Sequence, residues 1–142
     1  MIAGVRHVLT ILAVSRLEEV VAFYQAAFDW ERTVETPVYV EFALPDGQRI
    51  GVYQREAFGR NTRQVPAAIP DGMLAPVELY FHADDLDGAI TRLVAAGAHT
   101  LSPLALRDWG DEAAYFADPA GNVVVIARPR TDRLVARVGS RP

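Results

Sequence analysis

Hydrophobic positions along this chain keep two periods in turn, and the change from one to the other happens twice. Leu9 to Val14 (LTILAV) reads as a strand, after which Leu17, Val20, Val21, Tyr24 and Phe28 recur at helical spacing. Glu78 to His82 (ELYFH) alternates polar and apolar, and Leu86, Ala89, Ile90, Leu93 and Val94 then take up the helical period. The segments LTILAVSRLEEVVAFY and ELYFHADDLDGAITRL lie 69 residues apart and read as one supersecondary unit used twice. Ser15 with Glu18 has the spacing of a capping box, and Asp84 with Asp87 supplies an acidic version at the matching place. Gly97 is placed to end the second helix in the left-handed conformation that glycine tolerates.

Three strand-like runs follow each helix. In the first module they fall around residues 30–35, 37–44 and 48–55, with the turn Pro45-Asp46-Gly47 before the last. In the second, Asp118-Pro119-Ala120-Gly121-Asn122 precedes the run Val123 to Ala127. Gly47 and Gly121 are 74 apart, so the second module carries five extra residues, which fit best in LSPLALRDWGDEAA. The expected organisation is one domain over 1–142, with module one at about 5–55 and module two at about 77–128. Residues 56–76 hold three prolines, two glycines and an asparagine, a linker composition. The tail from Pro129 is arginine-rich, and either a short helix around Asp132 to Val138 or a frayed end would suit it. The N-terminal stretch MIAGVRHVLTILAVS reads as a strand and not a leader, since Arg6 and His7 interrupt it and no small-residue cleavage motif follows.

Composition narrows the function classes. An apolar content of 51% suffices for a real core. With 18 acidic against 14 basic residues and a formal charge of -4, the chain lacks the positive field that nucleic-acid binding requires. It has no cysteine, which excludes disulfides, thiolate nucleophiles and cysteine-held zinc or iron. No apolar run approaches the ~20 residues needed to cross a bilayer, so a cytoplasmic protein with no membrane partner is expected. A Ser/His/Asp set, a phosphate loop and a dinucleotide fingerprint are all missing from the sequence.

A capped helix containing Phe23-Tyr24, followed by DPAGN before a final strand, resembles the glyoxalase/bleomycin-resistance, or vicinal oxygen chelate, superfamily. The resemblance covers residues 5–128 and implies an α+β fold: two βαβββ modules forming a curved, mixed eight-stranded sheet around a concave pocket. In the metal-dependent members, first and fourth strands of the modules supply His, Gln or Glu ligands, because a divalent cation needs donors converging from rigid elements. Carried onto this chain, those positions are Leu9, Gly51, Glu78 and Val125, only one of which bears a donor side chain. The expectation is therefore no metal and no cofactor. A displaced cluster of His7, Glu78 and His82 is the alternative.

Strand alternation then selects the residues that would line the cup. On the fifth strand Val77, Leu79 and Phe81 face the helix, leaving Glu78, Tyr80 and His82 on the cup side, with Glu78 or His82 as a candidate base. Burial of Glu78 among aromatics would favour its neutral form. On the fourth strand Ile50 and Val52 point inward, so Arg49, Gly51 and Tyr53 share the cup side, where Gly51 makes room. Arg49 could grip a carboxylate and Tyr53 offers a ring and a hydroxyl; equally, Arg49 could stand at the rim in water. Trp109 in RDWGDEAAY is a candidate ligand cap and Tyr115 a candidate wall, whereas Trp30 and Phe116 read as core. Tyr53, Glu78, His82 and Trp109 are expected to line one cavity. Two readings follow: a metal-independent protein that sequesters an aromatic or amphipathic small molecule, or an enzyme of the same fold acting on a small oxygen-rich substrate. The resemblance, together with exposed sheet edges, also implies a homodimer.

Overall fold

Both periods fold as they read. In the computed structural model, which describes residues 2–130, the element order is β1 (Thr10–Val14), α1 (Leu17–Phe28), β2 (Glu31–Glu35), β3 (Tyr39–Ala43), β4 (Arg49–Gln54), α2 (Arg55–Thr62), β5 (Glu78–His82), α3 (Leu86–Ala95), β6 (His99–Leu106), β7 (Asp111–Ala117) and β8 (Val123–Pro129). Among the described residues, those up to 68, apart from 26–28, form one compact unit; residues 26–28 with 69–130 form the other.

Each unit contains a four-stranded mixed sheet, ordered β1-β4-β3-β2 in the first and β5-β8-β7-β6 in the second. In both, the first strand runs parallel to the fourth while the remaining pairs are antiparallel. The registers coincide: Thr10 sits opposite Ile50, and Leu79 opposite Val124, which are the sequence offsets of 69 and 74 expressed as hydrogen-bonded pairs. This is the predicted α+β class with two βαβββ modules.

The first unit's core lies where α1 meets its sheet. Leu17, Val20, Val21 and Tyr24 are buried as the helical period requires. The Tyr24 ring stacks on Trp30 with centroids 5.9 Å apart, and Trp30 meets Phe42 edge-on at 5.9 Å. Trp30 is thus a core residue, as is Phe116 in the second unit. On α3, Leu86, Ala89 and Leu93 are buried, but Val94 is exposed, because the helical period carries it to the side of the face those three bury.

Both helix starts differ from expectation. α1 begins behind Arg16 without a side-chain cap, and the Ser15 hydroxyl instead accepts a hydrogen bond from Arg55 Nε at 3.3 Å. Glu18 and Glu19 still place negative charge in the first turn, where the helix dipole favours it. α3 is capped by Asp85, one residue later than Asp84, through acceptance from Gly88 N at 3.1 Å. Its other end is as predicted: Gly97 has φ +103°, and its N–H and that of Ala98 bond to the carbonyls of Val94 and Leu93.

The segment read as linker holds α2, capped by the Gln54 side chain accepting from Ala57 N. Prolines 66, 70 and 76 all fall after this helix, so composition located the irregular stretch but not the eight residues before it. The five extra residues of module two lengthen β6 and β7 to eight and seven residues, with register shifts near Ser102. The expected alternatives for Asp132 to Val138 lie outside the described residues. Among the described residues no helix is long and apolar enough to cross a membrane.

Candidate functional site

In the first unit, β3 and β4 bring Tyr39, Glu41, Arg49, Gly51 and Tyr53 onto one sheet face. Glu41 is 7% exposed in a strand otherwise apolar, and two donors hold it: Tyr39 Oη at 2.6 Å and Arg49 Nη1 at 3.2 Å. Burial, then the hydrogen bond to Glu41 and that carboxylate's charge, push the Tyr39 phenol well above its ordinary range. Its ring leans over Gly51, where an added Cβ would lie 2.6 Å from Tyr39 Cε1. Gly51 does make room, but for a tyrosine of its own sheet. Arg49 is half-exposed and pairs with Glu41. Tyr53 lies between Tyr39, centroid to centroid 4.9 Å, and Phe58 at 5.8 Å, with its hydroxyl 3.4 Å from Asn61 Nδ2.

In the second unit the turn between β6 and β7 does the positioning. Gly110 at φ +93° lets the chain reverse, with Gly110 N bonded to the Arg107 carbonyl and Arg107 N to that of Asp111. Trp109 is thereby presented to β5, where its indole N–H donates to Tyr80 Oη at 2.8 Å. Tyr80 in turn donates to Asp111 Oδ2 at 2.6 Å, and His82 Nε2 lies 3.2 Å from the same oxygen. Asp111 is 4% exposed. Tyr80 and Tyr115 pack on a small apolar patch of Ala113, Val125 and Ala127, while Arg107 lies over the Tyr115 ring, 5.0 Å from its centroid.

The structure brings Tyr80 and His82 onto one face, as strand alternation predicted, and sets Trp109 and Tyr115 beside them. Glu78 stands at the opposite end of β5 from His82 and is exposed, which overturns its expected burial among aromatics. Tyr53 belongs to the first unit, whereas Glu78, His82 and Trp109 belong to the second. Sequence reasoning missed Tyr39, Glu41 and Asp111. A signal existed for the first two: YVEFA places an acid in an apolar strand opposite a glycine. Asp111 follows directly on the Asp-Trp-Gly turn, and only the fold shows that it meets β5.

A family model described as a glyoxalase-like domain matches residues 10–127, most of the chain. The protein belongs to the glyoxalase-like family. A search of curated proteins finds no match to the sequence. Among solved structures, a glyoxalase/bleomycin resistance protein/dioxygenase from Nocardioides aligns with TM-score 0.78 and 20% identity over 93% of this chain and 88% of that one. A glyoxalase-related enzyme from Fulvimarina pelagi aligns at TM-score 0.72 and 22% identity, covering 87% of each chain. A glyoxalase/bleomycin resistance protein/dioxygenase family enzyme from Burkholderia phytofirmans PsJN gives 0.70 and 19% over 86% and 97%. At such identities these likenesses speak to fold.

The residues of this glyoxalase-like protein do not fit the metal of the metal-dependent members. Beside Gly51 the Tyr39 ring fills the space, and Val125 is fully buried in the apolar patch. The imidazole of His7, offered to a displaced cluster, is instead 3.0 Å from Thr10 Oγ1. Among the described residues no group of three or more His, Cys, Asp or Glu side chains is arranged to hold a metal ion.

Proposed function

We propose that this glyoxalase-like protein binds a small aromatic or amphipathic organic molecule without a metal. The observation that carries the reading is the occupancy of the two fourth-strand positions. Gly51 is covered by Tyr39 and Val125 is sealed among alanines, so the same faces offer rings and hydrogen-bonding groups where a metal site would need lone-pair donors. Half-buried Trp109 and Tyr80 supply planar surface of the kind aromatic ligands stack on. The test is saturable quenching of tryptophan fluorescence by a panel of planar aromatic compounds, with elemental analysis of the same sample. Quenching unchanged by chelator supports the reading. One equivalent of zinc, nickel, manganese or iron whose removal abolishes binding overturns it.

A second reading, an enzyme using Glu78 or His82 as base on a small oxygen-rich substrate, is favoured at one point by the pairing of His82 with Asp111 at 3.2 Å. Turnover that disappears in His82→Gln while binding persists would select it. We also propose a homodimer. β2 and β6 end the two sheets, and Val34, Leu101, Leu104 and Leu106 are exposed on them, edges that association would cover. Light scattering near the chain mass of 15.6 kDa at tens of micromolar would refute that assembly.

A further inference from the structure

We propose that His82 and Asp111 form a carboxylate–imidazole pair whose outer nitrogen, Nδ1, accepts the proton of a phenolic ligand seated beside Trp109. This rests on the reading of the protein as a binder of aromatic molecules and gives that ligand a chemical class.

The directions of the hydrogen bonds that join Trp109, Tyr80, Asp111 and His82 follow from what each group can do. The indole of Trp109 only donates, so Tyr80 Oη must accept it at 2.8 Å and spend its own proton on Asp111 Oδ2 at 2.6 Å. A carboxylate only accepts, so at 3.2 Å from the same oxygen His82 Nε2 must carry its hydrogen. That assigns the tautomer. The neutral imidazole carries its proton on Nε2, and its Nδ1 holds the lone pair. No described residue hydrogen-bonds Nδ1, and half of the His82 side chain is exposed while Asp111 is buried beneath it. The imidazole is thus held from behind by Asp111, with Nδ1 as its outer nitrogen.

The neighbours define what can approach. Tyr80 stands 5.9 Å from the His82 ring, with Trp109 bonded to its hydroxyl, so a molecule reaching Nδ1 passes aromatic surfaces. A planar ring bearing an acidic O–H satisfies both features. On binding, the O–H proton moves to Nδ1, its electron pair stays on the phenol oxygen, and the resulting imidazolium is stabilised through Nε2–H by Asp111. In this arrangement His82 touches the ligand, and Asp111 acts through it as a positioning residue.

The probes are para-nitrophenol and nitrobenzene, which differ in the hydroxyl, titrated into the intact protein at a pH where free nitrophenol is largely neutral. The expected result is that nitrophenol binds about tenfold more tightly than nitrobenzene and takes on a phenolate absorption spectrum when bound. Asp111→Asn should lower nitrophenol affinity about tenfold more than nitrobenzene affinity, with partial recovery in Asp111→Glu. Nitrogen NMR of the unliganded protein should show the His82 proton on Nε2. Equal binding of both probes overturns the inference while sparing the aromatic-ligand reading. Failure of both to bind overturns that reading and with it the phenol assignment. A His82 proton on Nδ1 overturns the pair whatever binds.

Discussion

The two modules share topology and register yet solve the same packing problem in opposite ways. At equivalent diagonal positions on the sheet face, module one has Tyr39 beside Gly51 and module two has Ala113 beside Val125. Large and small have changed places: in one the ring covers a bare backbone, in the other a β-branched side chain fills its own site next to an alanine. The carboxylates differ likewise. Glu41 is central on β3 and tied to Arg49, whereas Asp111 begins β7 and is tied to Tyr80 and His82. One sheet has spent its polar groups on an internal ion pair; the other keeps an imidazole half-exposed. A repeated backbone thus constrains which positions face each other, and volume complementarity leaves open what stands on them.

The sharpest way to break this comparison is to move module two's choice into module one. Gly51→Val alone drives a branched side chain into the Tyr39 ring and should cost about 3 kcal/mol in denaturant unfolding, the upper end for overpacking. Tyr39→Ala combined with Gly51→Val reproduces the Ala113/Val125 arrangement and should regain a good part of that loss, a coupling that separate sites would not show. A double variant no better than the single one would mean that the ring is not what opposes the substitution.

The turns before the last strands offer a second, smaller contrast. Asp118 is buried and accepts from Ala120 N, Asn122 N and Asn122 Nδ2, while exposed Asp46 accepts, among the described residues, from Gln48 N. Asp118→Ala should therefore cost about 1–3 kcal/mol, from buried donors left unpaired, and Asp46→Ala well under 1 kcal/mol. Similar midpoints for the two variants in urea would show that burial does not separate them.

Ligand affinity should next separate two positions within module two. Trp109→Ala is expected to weaken aromatic binding about tenfold, through the lost stacking surface, and near-isosteric Glu78→Gln to change it less than about twofold. Fluorescence becomes uninformative once Trp109 is gone, so calorimetry is the measurement, and an unaltered affinity in Trp109→Ala would remove the turn from the site.

The smallest effect is a pH dependence confined to module one. An unfolded tyrosine releases its proton at about pH 10. Folding raises Tyr39 above this through burial and the hydrogen bond to Glu41, so the folded state keeps a proton that the unfolded state has lost. Stability from this group is intact below about pH 10 and lost as pH rises further. Tyr39→Phe should flatten that alkaline decline, and an identical decline in the variant would assign it to other groups.

Much of this molecule was legible without coordinates because periodicity and turn chemistry are local. Both helices, the paired offsets, the Gly47, Gly97 and Gly121 turns and the surplus around RDWGDEAAY each depend on residues within a few positions of one another. The errors have an equally physical origin. Ser15 and Asp84 have capping chemistry, but backbone dihedrals decide which of two adjacent residues is the cap. α2 was hidden because a capped helix of eight polar-rich residues has almost no apolar stripe to announce it.

Alternation determined by itself that Tyr80 and His82 share a face and that Arg49, Gly51 and Tyr53 share another; residue type alone determined that Leu9, Gly51 and Val125, ligand positions implied by the resemblance, carry no metal donor. Only the tertiary structure decided what those faces contain. That Tyr39 covers Gly51 depends on a contact between neighbouring strands, and that Trp109, Tyr80, Asp111 and His82 form one chain depends on bringing together residues 29 and 31 positions apart. A period reports the side of a strand on which a side chain emerges; it carries no information on which distant group will meet it there, because that is set by strand pairing and by the volumes of both partners.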